Sequence, residues 1–211
     1  MEYKNRIADK LLRDKLEAMG AVLIEGPKAC GKTTTAEQQA KSIIYMDDPV
    51  KQEQYKQMAQ TNIRFLLEGE TPRLIDEWQH VPQFWDAIRF EVDHRDDDGQ
   101  FMLTGSAVPA DMKEIHHTGT GRYGWLTMRP MSLWESGEST GEVSLSDLFL
   151  TPDRIGALNK LTLPMLAFAA CRGGWPKSLQ KKTEKAALSQ VTEYYKAITN
   201  SDISRVDNVK R

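Results

Sequence analysis

Eight consecutive residues, Gly26-Pro27-Lys28-Ala29-Cys30-Gly31-Lys32-Thr33, have the types and spacing to hold a phosphate. They spell the P-loop pattern G-x-x-x-x-G-K-[ST]. Gly26 and Gly31 let the backbone turn tightly and approach a phosphate with no Cβ in the way. The amides of the loop, and of a helix that begins there, form an anion site that extends to Thr34. Lys32 would place a compact positive charge on the β- and γ-phosphates, and the Thr33 hydroxyl would ligate Mg²⁺. Cys30 sits inside the loop, where the same amides and lysine would favour its thiolate and open it to alkylation. It has no evident catalytic task.

A second constellation lies about forty residues on. Leu74-Ile75-Asp76-Glu77 is an apolar run ending in two carboxylates, and strand tips are where α/β sheets bind ligands. Asp76 would hold Mg²⁺ together with Thr33, and Glu77 would polarise an attacking water as general base. The plainer reading is two surface acids in a turn. Thr104-Gly105-Ser106 ends another apolar run. A hydroxyl of Thr104 or Ser106 there would sit between the γ-phosphate and the attacking water, or simply in a turn. Arg122 follows two glycines, Gly119 and Gly121. Its guanidinium either stabilises γ-phosphate charge, in cis or from a neighbouring subunit, or forms a surface or structural pair. Arg172 is a second arginine candidate. His116-His117 reads as a loop pair, because adjacent helical histidines diverge by about 100° and no cysteine completes a zinc set. Consecutive acids in Arg95-Asp96-Asp97-Asp98-Gly99 read as a solvated loop and lack the spaced ligands of a calcium site.

The elements that would position these groups alternate. Ile7, Leu11, Leu12, Leu16 and Met19 have helical spacing, and Gly20 stops that helix. Strands are expected over residues 21–24, 43–46, 73–77, 101–106 and 123–128. Helices are expected between them, over residues 32–42, 50–67 and 82–94. This alternation implies a parallel sheet with helices on both faces. Beyond Pro130 the character changes. Helices are expected over residues 145–150, 155–170 and 183–199, separated by Pro152 and by Gly173-Gly174-Trp175-Pro176. The division expected is residues 1–138 as an α/β core and 139–211 as a helical region, with no repeats and no low-complexity segments.

Bulk properties narrow the function classes. The 211 residues suffice for one sizeable core, and 40% hydrophobic with 27% charged residues fits a soluble globular chain. A formal charge of -2 gives no global attraction to nucleic acid or an anionic membrane. Lys177, Lys181, Lys182 and Lys185 form a modest basic cluster, read as a solvated helix face or a local nucleic-acid contact. Two cysteines without metal-ligand spacing exclude a disulfide framework. With no long apolar run and no signal-peptide core, the expectation is a cytoplasmic protein with no membrane partner.

Taken in order, Gly26–Thr33, Leu74-Ile75-Asp76-Glu77-Trp78-Gln79, Phe101-Met102-Leu103-Thr104-Gly105-Ser106, Gly121-Arg122, Met128-Arg129-Pro130-Met131-Ser132 and Gly173-Gly174-Trp175-Pro176 form a set. The set resembles a group of bacterial and archaeal AAA-type ATPases with an N-terminal ATPase core and a C-terminal domain often described as nuclease-like. The resemblance covers most of the chain. It implies a P-loop NTPase fold of AAA type: a parallel five-stranded sheet in the order 5-1-4-3-2, flanked by helices and followed by a helical lid. It also implies ATP rather than GTP, Thr104 or Ser106 as a sensor, and Gly174-Trp175-Pro176 near adenine and ribose. Members are usually much longer, so the chain reads as a truncated product or fragment whose uncovered apolar surface would favour homo-oligomers. The function expected is Mg²⁺-ATP hydrolysis driving a conformational change. Its rivals are a nucleotide-binding regulatory switch with little turnover, a small-molecule kinase, and a nucleic-acid-associated ATPase.

Overall fold

Three short apolar runs, Ala21–Glu25 (β1), Arg73–Asp76 (β3) and Phe101–Thr104 (β4), form the middle of a sheet in the computed structural model, which describes residues 3–105, 118–154 and 156–202. Four of the five β1 residues and all four of β4 are buried. Such unbroken burial belongs to parallel strands covered on both faces. With β2 (Ser42–Tyr45) and β5 (Tyr123–Thr127) they give a five-stranded parallel sheet in the order β2-β3-β4-β1-β5. Counted from its other edge this is the expected 5-1-4-3-2.

The register matters for function. Asp76 stands level with Thr104 and with Tyr45, and Thr104 stands level with Ile24. The residues that follow these positions therefore emerge at one edge of the sheet. The chain divides into two compact units, Arg6–Arg129 and Met1–Asn5 with Pro130–Arg211.

In the first unit, α1 (Ile7–Leu16) precedes β1, α2 (Lys32–Glu37) follows it, and α3 (Gln52–Asn62), α4 (Arg64–Leu67) and α5 (Phe84–Arg95) occupy the later crossovers. Phe84, Trp85 and Ile88 of α5 are buried in one core with Leu23, Ile75, Phe101 and Leu103. Val92 of α5 packs on that core and fills the space beside Gly20, where a Cβ would stand 2.2 Å from its Cγ1.

Several local expectations are corrected. In α1 only Ala8, Leu12 and Leu16 are buried, while Ile7 and Leu11 face solvent. Helix α2 ends at Glu37 rather than at residue 42, because Lys41 N already donates to Pro72 O and β2 begins at Ser42. The helix expected over residues 50–67 is two: the Asn62 side chain accepts from Arg64 N and interrupts it.

In the second unit lie α6 (Leu133–Ser136), α7 (Leu145–Leu150), α8 (Leu163–Arg172), α9 (Pro176–Leu179) and α10 (Glu184–Ala197). Ser132 and Ser144 open α6 and α7 with reciprocal capping by Glu135 and Asp147. Helix α8 begins at Leu163, not at residue 155. Pro164 fits the first turn of a helix but not its interior, and Thr162 caps the start. Gly174 has a steric reason to be glycine: a Cβ there would stand 2.0 Å from Met131 O, whose own N–H donates to Gly174 O.

Candidate functional site

The P-loop joins β1 to α2, and its backbone is held from behind. Gly26 has φ +152°, and a Cβ there would stand 2.3 Å from Met128 O. Gly31 (φ +104°) and Ala29 (φ +61°) also lie at positive φ, which turns the loop back on itself. Pro27, Lys28, Ala29 and Thr34 are exposed, so the loop presents an open rim. Lys32 is buried, and its Nζ donates to Gly26 O at 2.9 Å and Pro27 O at 3.0 Å. The ammonium thus lies across the mouth of the loop, with a third N–H in hand.

Cys30 differs from expectation. Its side chain is fully buried, and burial pushes its thiol pKa up, against the opposing influence of Lys32 and Arg6. The loop's positive charge does not win, so the thiolate is disfavoured and the residue is a small packing group.

Asp76, at the tip of β3, collects two hydroxyls on one oxygen. Thr33 Oγ1 donates to Asp76 Oδ1 at 2.7 Å, and Thr104 Oγ1 donates to the same atom in a very short bond. Burial raises the Asp76 carboxyl pKa; the bonds from Thr104 and Thr33 work against this, and Glu77 and Asp47 add to it. Asp76 is therefore a buried carboxylate supported by neutral donors, with acidic neighbours at the same edge. A buried carboxylate beside other acids suits a cation as its chemical partner. Because Thr33 gives its proton to Asp76, its oxygen keeps lone pairs for a hard metal. No cluster of three or more Asp, Glu, His or Cys side chains able to hold a metal occurs among the described residues. One carboxylate, Asp76, beside one hydroxyl, Thr33, is a donor set that fits Mg²⁺, which takes one or two protein ligands and completes its shell with water and phosphate.

Glu77 follows in a left-handed conformation (φ +53°, ψ +45°), which costs a non-glycine residue about 1–2 kcal/mol. The turn takes its side chain out of the strand's alternation. Its carboxylate accepts a short bond from Gln79 Nε2. Behind this tip Trp78 and Trp85 lie 5.5 Å apart, and Trp85 stacks on Tyr123 at 4.0 Å.

The structure thus brings Gly26–Thr34, Asp76, Glu77 and Thr104 to one edge of the sheet. It does not bring Arg122 there. Arg122 precedes β5, and its carbonyl accepts from Ala21 N at the start of β1, the opposite edge, some 16 Å away at about 3.3 Å per strand residue. Its guanidinium is held by Asp93 at 2.7 Å. Arg172 is committed to Glu138 by two bonds of 2.7 and 2.8 Å within the second unit. Ser106, His116 and His117 lie outside the described residues.

Three contributors were given no role from the sequence. Buried Arg6 precedes α1 and donates to Cys30 O at 3.0 Å and Arg129 O at 2.7 Å, tying the loop's base to the end of β5. Asp47 reaches the Asp76 neighbourhood because Met46 N donates to Asp76 O. Gln79 binds Glu77. An arginine at the foot of an amphipathic helix and a glutamine after two acids look like surface residues until the fold closes around them.

A family model described as an AAA domain matches residues 19–136, more than half of the chain. Among solved structures the chain is similar to PCH-2 of C. elegans, with 15% identity and a TM-score of 0.44, over 89% of this chain and 66% of that one. It therefore spans just under two thirds of that protein's length. No curated protein matches.

Proposed function

The chain belongs to the AAA domain family, and we propose that it binds Mg²⁺-ATP at the β1–α2 loop and hydrolyses it. The observation that carries this reading is the meeting of Thr33, Asp76 and Thr104 on one carboxylate oxygen. Three separate segments of the chain deliver hard oxygen groups to one point beside a phosphate loop.

In this reading the amides of residues 26–34 and the Lys32 ammonium take the phosphates. Lys32 exchanges its bonds to Gly26 O and Pro27 O for phosphate oxygens, a short swing with little reorganisation. Thr33 and Asp76 are the residues that would hold Mg²⁺, which when bound neutralises charge on the β- and γ-phosphates. Glu77 accepts the proton of the attacking water and Thr104 holds Asp76 in place. Ser106 is a further candidate at the same strand end. Arg122 takes part only from a second copy of the chain, since its own β5 separates it from its own loop. The region after residue 139, whose described part carries α7 to α10, is the one whose movement hydrolysis would drive.

Phosphate release by the wild type and by Lys32→Ala tests the proposal. Mg²⁺-dependent release that disappears in the variant supports it. Tight ATP retention with no release by a folded wild type selects a nucleotide-binding switch instead.

A further inference from the structure

Gln79 is placed to do more than fill space. Its carboxamide lies between the tips of β3 and β4, with Nε2 bonded to the Glu77 carboxylate. That contact fixes the orientation of the amide, because the reverse would set Oε1 against a carboxylate. Oε1 is consequently turned the other way, buried, and without a hydrogen-bond partner among the described residues. An unsatisfied buried carbonyl is costly, so the bond to Glu77 is kept against an opposing penalty.

The seat for this amide is made by Gly105. A Cβ at Gly105 would stand 2.5 Å from Gln79 Oε1 and 3.3 Å from Trp78 Nε1. Gly105 has no positive φ to explain it, so the closeness of the carboxamide and indole is its steric reason. It also follows Thr104 directly, whose hydroxyl binds Asp76. Glu77, Gln79, Gly105 and Thr104 are therefore one continuous arrangement linking two strand tips.

We propose that Gln79 is a positioning residue for Glu77, seated by Gly105, and that it fixes the direction from which the Glu77 carboxylate meets water. This rests on the reading of Glu77 as the general base. A general base contributes about 10²–10⁴ in rate and depends on sub-ångström placement. Loss of the positioning bond is therefore expected in kcat, not in ATP affinity.

The test uses the whole chain and compares wild type, Gln79→Met, Gly105→Ala and the double variant. Gln79→Met keeps the length of the side chain and removes the donor. Gly105→Ala leaves Gln79 intact and takes away its seat, at low cost to the fold because the obstructing atom ends a flexible side chain. Each single variant should lose about tenfold or more in kcat, with the ATP Kd within about twofold. The double variant should be no slower than the worse single one, since both act on the same bond. A Gln79→Met kcat within about twofold of wild type, or losses that multiply in the double variant, would overturn the inference. If Gln79→Met does not fold, Gly105→Ala decides by the same split between kcat and Kd. A wild type that binds Mg²⁺-ATP and releases no phosphate overturns the hydrolase reading and this inference together.

Discussion

Thr33 Oγ1 donates to Asp76 Oδ1 across 2.7 Å, although 43 positions separate the two residues in the chain. That bond joins the phosphate loop to the acidic strand tip. It predicts a conflict between stability and function at Asp76. Burial holds this carboxyl above its usual pKa, so the folded chain binds the proton more tightly than the unfolded one. Stability is then greatest at low pH with respect to this group, and falls as pH rises from the ordinary aspartate value through the raised one. Asp76→Asn keeps an oxygen to accept from Thr33 and Thr104 and removes the charge. Its melting temperature in metal-free buffer near pH 7.5 should exceed that of wild type, while Mg²⁺ ceases to tighten ATP binding. A lower melting temperature would contradict this account of the site.

The thiols offer a check on the loop. Cys30 is buried with a raised pKa and Cys171 is exposed. A chromogenic disulfide at pH 8 should titrate one thiol rapidly and the other about 100-fold more slowly, through opening of the fold. Cys171→Ser should abolish the rapid phase.

In the second unit Arg172, 8% exposed, is clasped by both oxygens of Glu138. Arg172→Ala leaves the partly exposed Glu138 carboxylate with the Ser136 hydroxyl and should cost about 1–2 kcal/mol in chemical denaturation of that unit. The Arg172 guanidinium holds the Glu138 carboxyl below its usual pKa. The pair's stabilisation is present above the unfolded glutamate pKa and fades as pH falls through the lowered folded value. Glu138→Gln should remove that acid dependence.

Arg122 predicts a mixing effect. Its pair with Asp93 is at the surface, where an ion pair contributes little, so Arg122→Ala should fold. Lys32→Ala and Arg122→Ala are each expected to be inactive alone. Mixed, they should regain phosphate release, because some sites then combine an intact loop with an intact arginine from another copy. No recovery at any ratio would remove Arg122 from the reaction.

Most of the sheet was legible because parallel strands buried on both faces must be apolar throughout, as Ala21–Ile24 and Phe101–Leu103 are. The loop between β1 and α2 and the acidic tip of β3 were legible as local structure because each follows an apolar strand at short spacing. Contacts set by tertiary approach were not. Arg122 looked like part of the site because glycines precede it, and only the register of β5 on β1 puts it at the far edge. Cys30 looked activated by its neighbours' charge, and only its burial reverses that. The grip of Arg6 on the loop spans 24 positions, and no local pattern announces it. Pro164 was readable as a helix start, but an apolar run continuing through it hid the boundary.

In the proposed mechanism Lys32 binds the phosphates while Glu77 acts on water, so binding and turnover can be separated. Single-turnover phosphate release with Mg²⁺-ATP, run beside equilibrium binding on wild type, Lys32→Ala and Glu77→Gln, measures both. Glu77→Gln should bind ATP within about threefold of wild type yet release phosphate at least ~100-fold more slowly, and Lys32→Ala should lose binding itself. Phosphate release by Glu77→Gln at the wild-type rate would contradict it.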